Sequence, residues 1–266
     1  MLKVLRHVLL FLLLTVFTQI GGVVYLVTVL IARKLSWSAI KALLLFFGFY
    51  ILSTLMLVPA LAPLFGRVPL PLTGNLRPLN ITTCLLNRHY VTPDLKNEIL
   101  RLSIDMKKEF PDTKTNYLDA NFPFFDGFPL LPHWSHNDGR KIDLAFYYSD
   151  KSSGRASDNA PSFIGYGIYE APKNGESNYP EICAEKGFFQ YGALTYLVPK
   201  WHADDYNVDA TRTKRLLQLM AGSDKASKIF IEPHLKERWQ LTGYDKVRYH
   251  GCHAVRHDDH IHYQIK

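Results

Sequence analysis

Two stretches of this chain gather the residue types that bind metals and move protons. The first is Pro132-His133-Trp134-Ser135-His136-Asn137-Asp138-Gly139-Arg140-Lys141-Ile142-Asp143, in which six residues separate His136 from Asp143. The second is His257-Asp258-Asp259-His260-Ile261-His262. Catalytic zinc usually takes three protein ligands, imidazoles and carboxylates among them, and leaves a fourth position for water or substrate. His136, Asp143 and His262 supply that set for Zn2+. On a strand, His260 and His262 leave the same face while Ile261 turns to the core. One ring can then bind the metal while its neighbour reaches water or substrate. Asp258, Asp259 and Ser135 are candidates to orient the ligand imidazoles. A His-x-His pair alone is more often two surface histidines. The joint presence of both segments, with His133 and His257 beside them, points to a metal centre.

These residues need rigid elements to carry them. From 141 to 148 the chain alternates, with Ile142, Leu144, Phe146 and Tyr148 on one face and Asp143, Ala145 and Tyr147 on the other. That pattern predicts a strand with an apolar back and a carboxylate on its open face. A further strand is expected over 260–265 and another over 228–232, the latter followed by a helix opened by Pro233. Thr92-Pro93-Asp94 reads as a helix start, with a capping Thr, Pro in the first turn and an acid after it. Leu95, Ile99, Leu102 and Met106 continue it at helical spacing to about 110. Residues 211–221 read as a short basic amphipathic helix and 120–132 as a loop framing the site. Residues 149–161 read as an exposed polar loop, and 162–170 and 188–198 as strand-like. Without a regular βαβ alternation, the expected class is α+β, a small mostly antiparallel sheet with flanking helices. Trp134 reads as a packing aromatic, and His89 and His234 as surface residues. Trp201-His202-Ala203-Asp204-Asp205 could line a cleft or hold a second cation, although such charged loops are ordinarily just solvated.

The formal net charge of +7 is unevenly spread. Residues 1–67 hold Lys3, Arg6, Arg33, Lys34, Lys41 and Arg67 and no acid. Removing those six from the 31 basic residues leaves 25 against 24 acidic ones, a net of +1 over 68–266. That part has no electrostatic footprint for nucleic acid. Residues 8–32 and 42–65 are apolar and, apart from their flanks, uncharged, each long enough to cross the hydrocarbon core as a helix. The expected organisation is a two-helix transmembrane hairpin over 1–67, a linker and entry segment over 68–92, and the zinc-site domain over 93–266. Basic residues divide three to the short loop and four to the two ends, so the positive-inside rule selects no orientation. Cys84, Cys183 and Cys252 form no zinc-knuckle pair, and any two of them can pair in an oxidising compartment.

The two motifs also carry a family resemblance. Pro129-Leu130-Leu131-Pro132-His133-Trp134-Ser135-His136-Asn137-Asp138-Gly139, followed by Asp143, resembles the first motif of the penicillin-insensitive murein endopeptidases. Lys228-Ile229-Phe230-Ile231-Glu232-Pro233 is similar to the strand and helix start before that family's final motif, and His257 to His262 is similar to the motif itself. The family belongs to the lysostaphin, D-Ala-D-Ala peptidase and hedgehog group of zinc folds. The resemblance implies zinc on His136, Asp143 and His262, with His260 catalytic, and roles near the metal for His133 and for His257, which is counted with His260 as catalytic. It implies a metallopeptidase that hydrolyses amide bonds in peptidoglycan cross-links. With the apolar segments, it places the chain in a bacterial inner membrane with its domain facing the periplasm or exterior. Two other readings share the fold: a non-catalytic zinc-containing binding module, and a zinc D-Ala-D-Ala-type carboxypeptidase. The first does not need His260 and His257. The second uses a Glu shortly before the final ligand pair, and none lies between Trp239 and His262. The resemblance covers roughly 120–148 and 212–265. The apolar segments and residues 149–210 depart from the family pattern.

Overall fold

A computed structural model describes residues 1–266. The apolar N-terminal region folds differently from a two-span hairpin. The first stretch is two helices, α1 (Leu2–Thr18) and α2 (Gly21–Lys34), broken where Gln19 takes a positive φ of 65°. The chain doubles back there, bringing the His7 ring 2.6 Å from the Tyr25 hydroxyl. Gly21 and Gly22 permit the turn, because a Cβ on either would strike Thr18 or Thr15. At 1.5 Å per residue α1 and α2 reach about 25 and 21 Å, short of a hydrocarbon core of about 30 Å.

Helix α3 (Ala39–Phe65) is the one helix long and apolar enough to cross a membrane, with 27 residues and a mean hydropathy of 2.2. It carries a π-helical turn over Ser53–Leu57 just before Pro59. The proline ring has no N–H to donate and crowds the preceding turn, which the wider turn accommodates. The helix closes in a 3₁₀ turn at Gly66, whose φ of 69° is costly for any other residue.

The rest of the chain is α+β, built on a six-stranded sheet. Its strands are β1 (Leu76–Pro78), β2 (Thr115–Tyr117), β3 (Lys141–Ala145), β4 (Ala226–Phe230), β5 (Val247–Arg248) and β6 (His260–Ile265), in the spatial order β5-β4-β6-β3-β2-β1. The centre is antiparallel, but β4–β5 and β1–β2 pair in parallel, so the sheet is mixed, with three of its five pairings antiparallel. Strand β1 lies within 68–92, so that segment supplies an edge of the sheet.

Helix α4 (Pro93–Glu109) starts as its sequence demands, with the Thr92 hydroxyl accepting the Leu95 N–H at 3.3 Å. With α6 (Ala210–Gly222) it covers one face of the sheet. Leu95, Ile99, Leu102, Leu216 and Met220 pack there with Ile142, Leu144, Ile261 and Tyr263 in a core of 29 buried residues. Asp143, His260 and His262 therefore leave the opposite face.

That opposite face is roofed by parts of residues 162–198, which reach it through Tyr166, Gly167, Gln190 and Leu197. Over 162–170 there is no strand, because Gly165 and Gly167 take φ of 82° and 86°. Residues 188–198 form a 3₁₀ turn and one helical turn instead of a strand. Residues 149–161 are partly ordered: Tyr148–Asp150 pairs with Ala156–Ser157 and with Tyr206–Val208 in a small separate sheet.

Helix α5 (Tyr179–Glu185) of this roof is joined by the Cys183–Cys252 disulfide to the loop preceding His257. Cys84 stays buried and unpaired. The cross-link closes 69 residues of chain, and loops of that size stabilise by about 2–4 kcal/mol. Reduction, or the Cys183→Ala/Cys252→Ala pair, should therefore lower the thermal midpoint, measured by differential scanning fluorimetry with and without reductant. An unchanged midpoint would show that the roof is held without the bond.

Candidate metal centre

The two motifs meet because β3 and β6 are neighbours. Their register pairs His262 with Asp143 and His260 with Ala145. His136 comes from the loop before β3, which is knitted to the sheet by one side chain. Asn121 Nδ2 donates to the Lys141 carbonyl at 2.8 Å, and its Oδ1 accepts the Gly139 N–H at 3.0 Å. Gly139 has a φ of 76°, and a Cβ there would collide with the Arg67 guanidinium. The loop is also tied to the apolar helices. Arg67 pairs with Asp126, Phe65 packs on Phe124 and Phe125, and the Gln19 side-chain oxygen accepts the Phe124 N–H at 3.0 Å.

His136 Nδ1 lies 2.6 Å from the Ala120 carbonyl, to which it must donate. In the neutral ring this leaves a lone pair on Nε2. That atom is 3.2 Å from Asp143 Oδ1 and 3.0 Å from His262 Nδ1. The third edge, His262 Nδ1 to Asp143 Oδ1, is 2.9 Å. Ligands about 2.0–2.1 Å from a tetrahedral metal stand about 3.4 Å apart, so this triangle is close to a ligand triangle. All three side chains are buried. The three atoms are of the kinds that bind a divalent ion, and the triad could hold one.

The electrostatics keep these donors available. Burial alone would raise the Asp143 pKa, but the imidazoles of His136, His133 and His260 outweigh it and hold the carboxyl well below its ordinary range. Burial pushes the His262 imidazole down to about 4, so that ring stays neutral at physiological pH. Metals bind deprotonated ligands, and both groups are in that form.

The other carboxylate oxygen faces a second group. Asp143 Oδ2 accepts from His133 Nδ1 at 2.5 Å and from the Tyr166 hydroxyl at 2.9 Å, and lies 3.7 Å from His260 Nε2. His133, Asp143 and His260 are thus also close enough to hold an ion. The His136 set is tighter, and its carboxylate oxygen carries no other donor.

His260 is fixed from behind. Its Nδ1 donates to Asp259 Oδ1 at 2.5 Å, and Asp259 Oδ2 accepts the Gly167 N–H at 2.6 Å. Its Nε2 is buried without a partner. Burial works against protonation of His260, but Asp143 and Asp259 prevail and raise its pKa. His257 stands 4.9 Å from the His260 ring, and burial first, then the neighbouring imidazoles of His260 and His262, lower its pKa far below the usual value. Its backbone N–H donates to buried Glu232 at 3.1 Å.

Of the remaining candidates, Asp258 faces away from the triad and pairs with Arg256. Ser135 makes no hydrogen bond through its hydroxyl to a ligand ring. It lines a cavity of about 560 Å³ beside the triad, together with Trp134, Gln190, Leu197, His250 and His262. Trp134 is 68% exposed at this cavity, so it is not a packing aromatic. The Trp201–Asp205 stretch lies outside the cavity, with His202 and Asp205 paired on the surface at 2.6 Å. His89 and His234 are buried, not on the surface. The sequence does not mark Tyr166 or Glu232 as site residues, the first because 162–170 reads as strand-like. The flanking glycines in Gly165-Tyr166-Gly167 were the available signal of a tight turn. No family model and no curated protein matches this chain.

Proposed function

We propose that the chain is a membrane-held zinc peptidase acting on amide bonds of peptidoglycan cross-links, similar to the penicillin-insensitive murein endopeptidases. The observation that carries this reading is the convergence of His136 Nε2, Asp143 Oδ1 and His262 Nδ1 beside a carboxylate-bound His260. Two imidazoles and one carboxylate with an open side are a donor set that suits catalytic zinc. Bound there, zinc would polarise the scissile carbonyl and make a nearby water acidic enough to lose a proton near neutral pH.

The chain's own residues supply the proton handling. Because the Nδ1–H of His260 is committed to Asp259, Nε2 is the atom that takes up or gives back a proton. It lies 3.7 Å from Asp143 Oδ2 and has no hydrogen-bond partner. His257, kept neutral by burial, adds no competing charge. The cavity of about 560 Å³ gives an extended peptide room to lie across the site, against Trp134 and Leu197.

The Cys183–Cys252 disulfide is of a kind that persists in oxidising environments such as the periplasm. That supports placing residues 68–266 outside the cytoplasm. Helix α3 supports attachment to the inner membrane, and the exposed apolar faces of α1 and α2 support their contact with lipid.

The reading is tested by elemental analysis of the detergent-purified full chain. One zinc per chain is expected, removable by chelator and restored by added zinc. A preparation that takes up no zinc at any stoichiometry would end the metallopeptidase reading.

A further inference from the structure

The roof over the site contains a side chain that reaches the metal triad. Tyr166 is buried, and its hydroxyl sits between two polar partners. It accepts the Asp119 N–H at 3.1 Å and donates to Asp143 Oδ2 at 2.9 Å. The Asp119 bond occupies a lone pair and orients the hydroxyl proton toward the carboxylate. With His133 Nδ1 also on Oδ2, that oxygen is saturated by two donors. Only Oδ1 is then left to face His136 and His262.

The ring is as constrained as the hydroxyl. Its centroid lies 4.8 Å from both the His133 and His260 rings, which it meets edge-on at 70° and 80°. The glycines on either side fix the backbone. A Cβ on Gly165 would come 2.3 Å from a Leu118 methyl in ideal geometry, and one on Gly167 would come within 2.8 Å of Val198. Both glycines take a positive φ, which a side chain would strain. The Gly167 N–H holds Asp259, the carboxylate behind His260. One three-residue turn therefore grips both carboxylates of the site, the one in the triad and the one that orients the proton-handling histidine.

We infer that Tyr166 is a positioning residue for the metal: its hydroxyl selects Asp143 Oδ1 as the ligand atom by occupying Oδ2. This inference rests on the zinc reading above. Hydrogen-bond partners behind a metal ligand are commonly worth about 10–100-fold in metal affinity.

The test uses the detergent-purified full chain and zinc alone, with affinity measured by competition against a chromophoric chelator. Tyr166→Phe keeps the ring and removes only the hydroxyl. Zinc affinity should fall about 10–100-fold. Tyr147→Phe is the comparison: it also removes a buried hydroxyl, one bonded to Thr115 at 2.7 Å away from the triad. Its zinc affinity should match that of the parent. In the metal-free state the two variants should unfold at similar temperatures, so a general loss of stability would not account for the difference. If the parent takes up no zinc, the zinc reading falls and this inference with it. If the parent and Tyr166→Phe bind zinc equally, or both variants weaken it equally, the inference alone is overturned.

Discussion

Replacing His260 with alanine is expected to leave zinc in place and lower the rate of hydrolysis by about 10²–10⁴-fold, the usual worth of a general acid–base or an oxyanion donor. The tight triangle of His136, Asp143 and His262 does not include His260, so its loss removes no ligand of that set. It does remove an imidazole whose Nδ1 is held by Asp259 and whose Nε2 lies near Asp143 without a hydrogen-bond partner. Alanine also leaves a small void and strands an oxygen of Asp259. His260→Gln fills more of that space and serves as the second variant. Rate and zinc content should be measured on the same preparation. A variant with full zinc and an unchanged rate would remove His260 from the mechanism.

His262→Ala should instead lose metal and activity together. On the proposed reading the ring would supply one of three ligand atoms, and its substitution should weaken zinc binding by more than the 10–100-fold typical of an outer partner. The two variants therefore separate two roles on one strand face: zinc retained with the rate lost at 260, and both lost at 262. Elemental analysis after gel filtration reads the difference. Stoichiometric zinc in His262→Ala would mean that the ion sits elsewhere, with His133, Asp143 and His260 the next set in line.

Much of this arrangement was legible in the residues. The two-residue period of a strand put Asp143 on the face opposite Ile142 and Leu144, and His260 and His262 opposite Ile261. Nothing further is needed to aim all three side chains one way. That β3 and β6 are neighbours is a tertiary fact, which the motifs suggested only through resemblance. Helix α4 was legible for a similar reason: its cap, its proline and its apolar stripe are local signals that agree.

Other parts were not legible, for equally physical reasons. Hydrophobicity over 8–32 reports a preference for lipid or core, not straightness. Whether the chain continues or folds back depends on Gly21 and Gly22 letting α2 lie close against α1. The burial of His234 depends on distant chain, since its Nε2 lies 2.8 Å from the carbonyl of Glu170, 64 residues away. The contact of Tyr166 with Asp143 spans 23 residues and follows no periodicity. Residues 149–210 carry no family motif, yet they bring in the roof, one cysteine of the disulfide and the hydroxyl on the Asp143 carboxylate. The edges of the sheet were not legible either, since a two- or three-residue strand such as β1 or β5 carries too little pattern to reveal its direction.

The most direct test of the central claim is product analysis by mass spectrometry. Purified full chain, loaded with zinc, is incubated with cross-linked muropeptide dimers, and a parallel sample contains chelator. The account predicts monomers whose combined mass exceeds that of the dimer by one water. It also predicts no monomer in the chelated sample and recovery when zinc is returned. Intact dimers in the presence of a protein that holds one zinc per chain would contradict it, and would leave a zinc-containing binding module in its place.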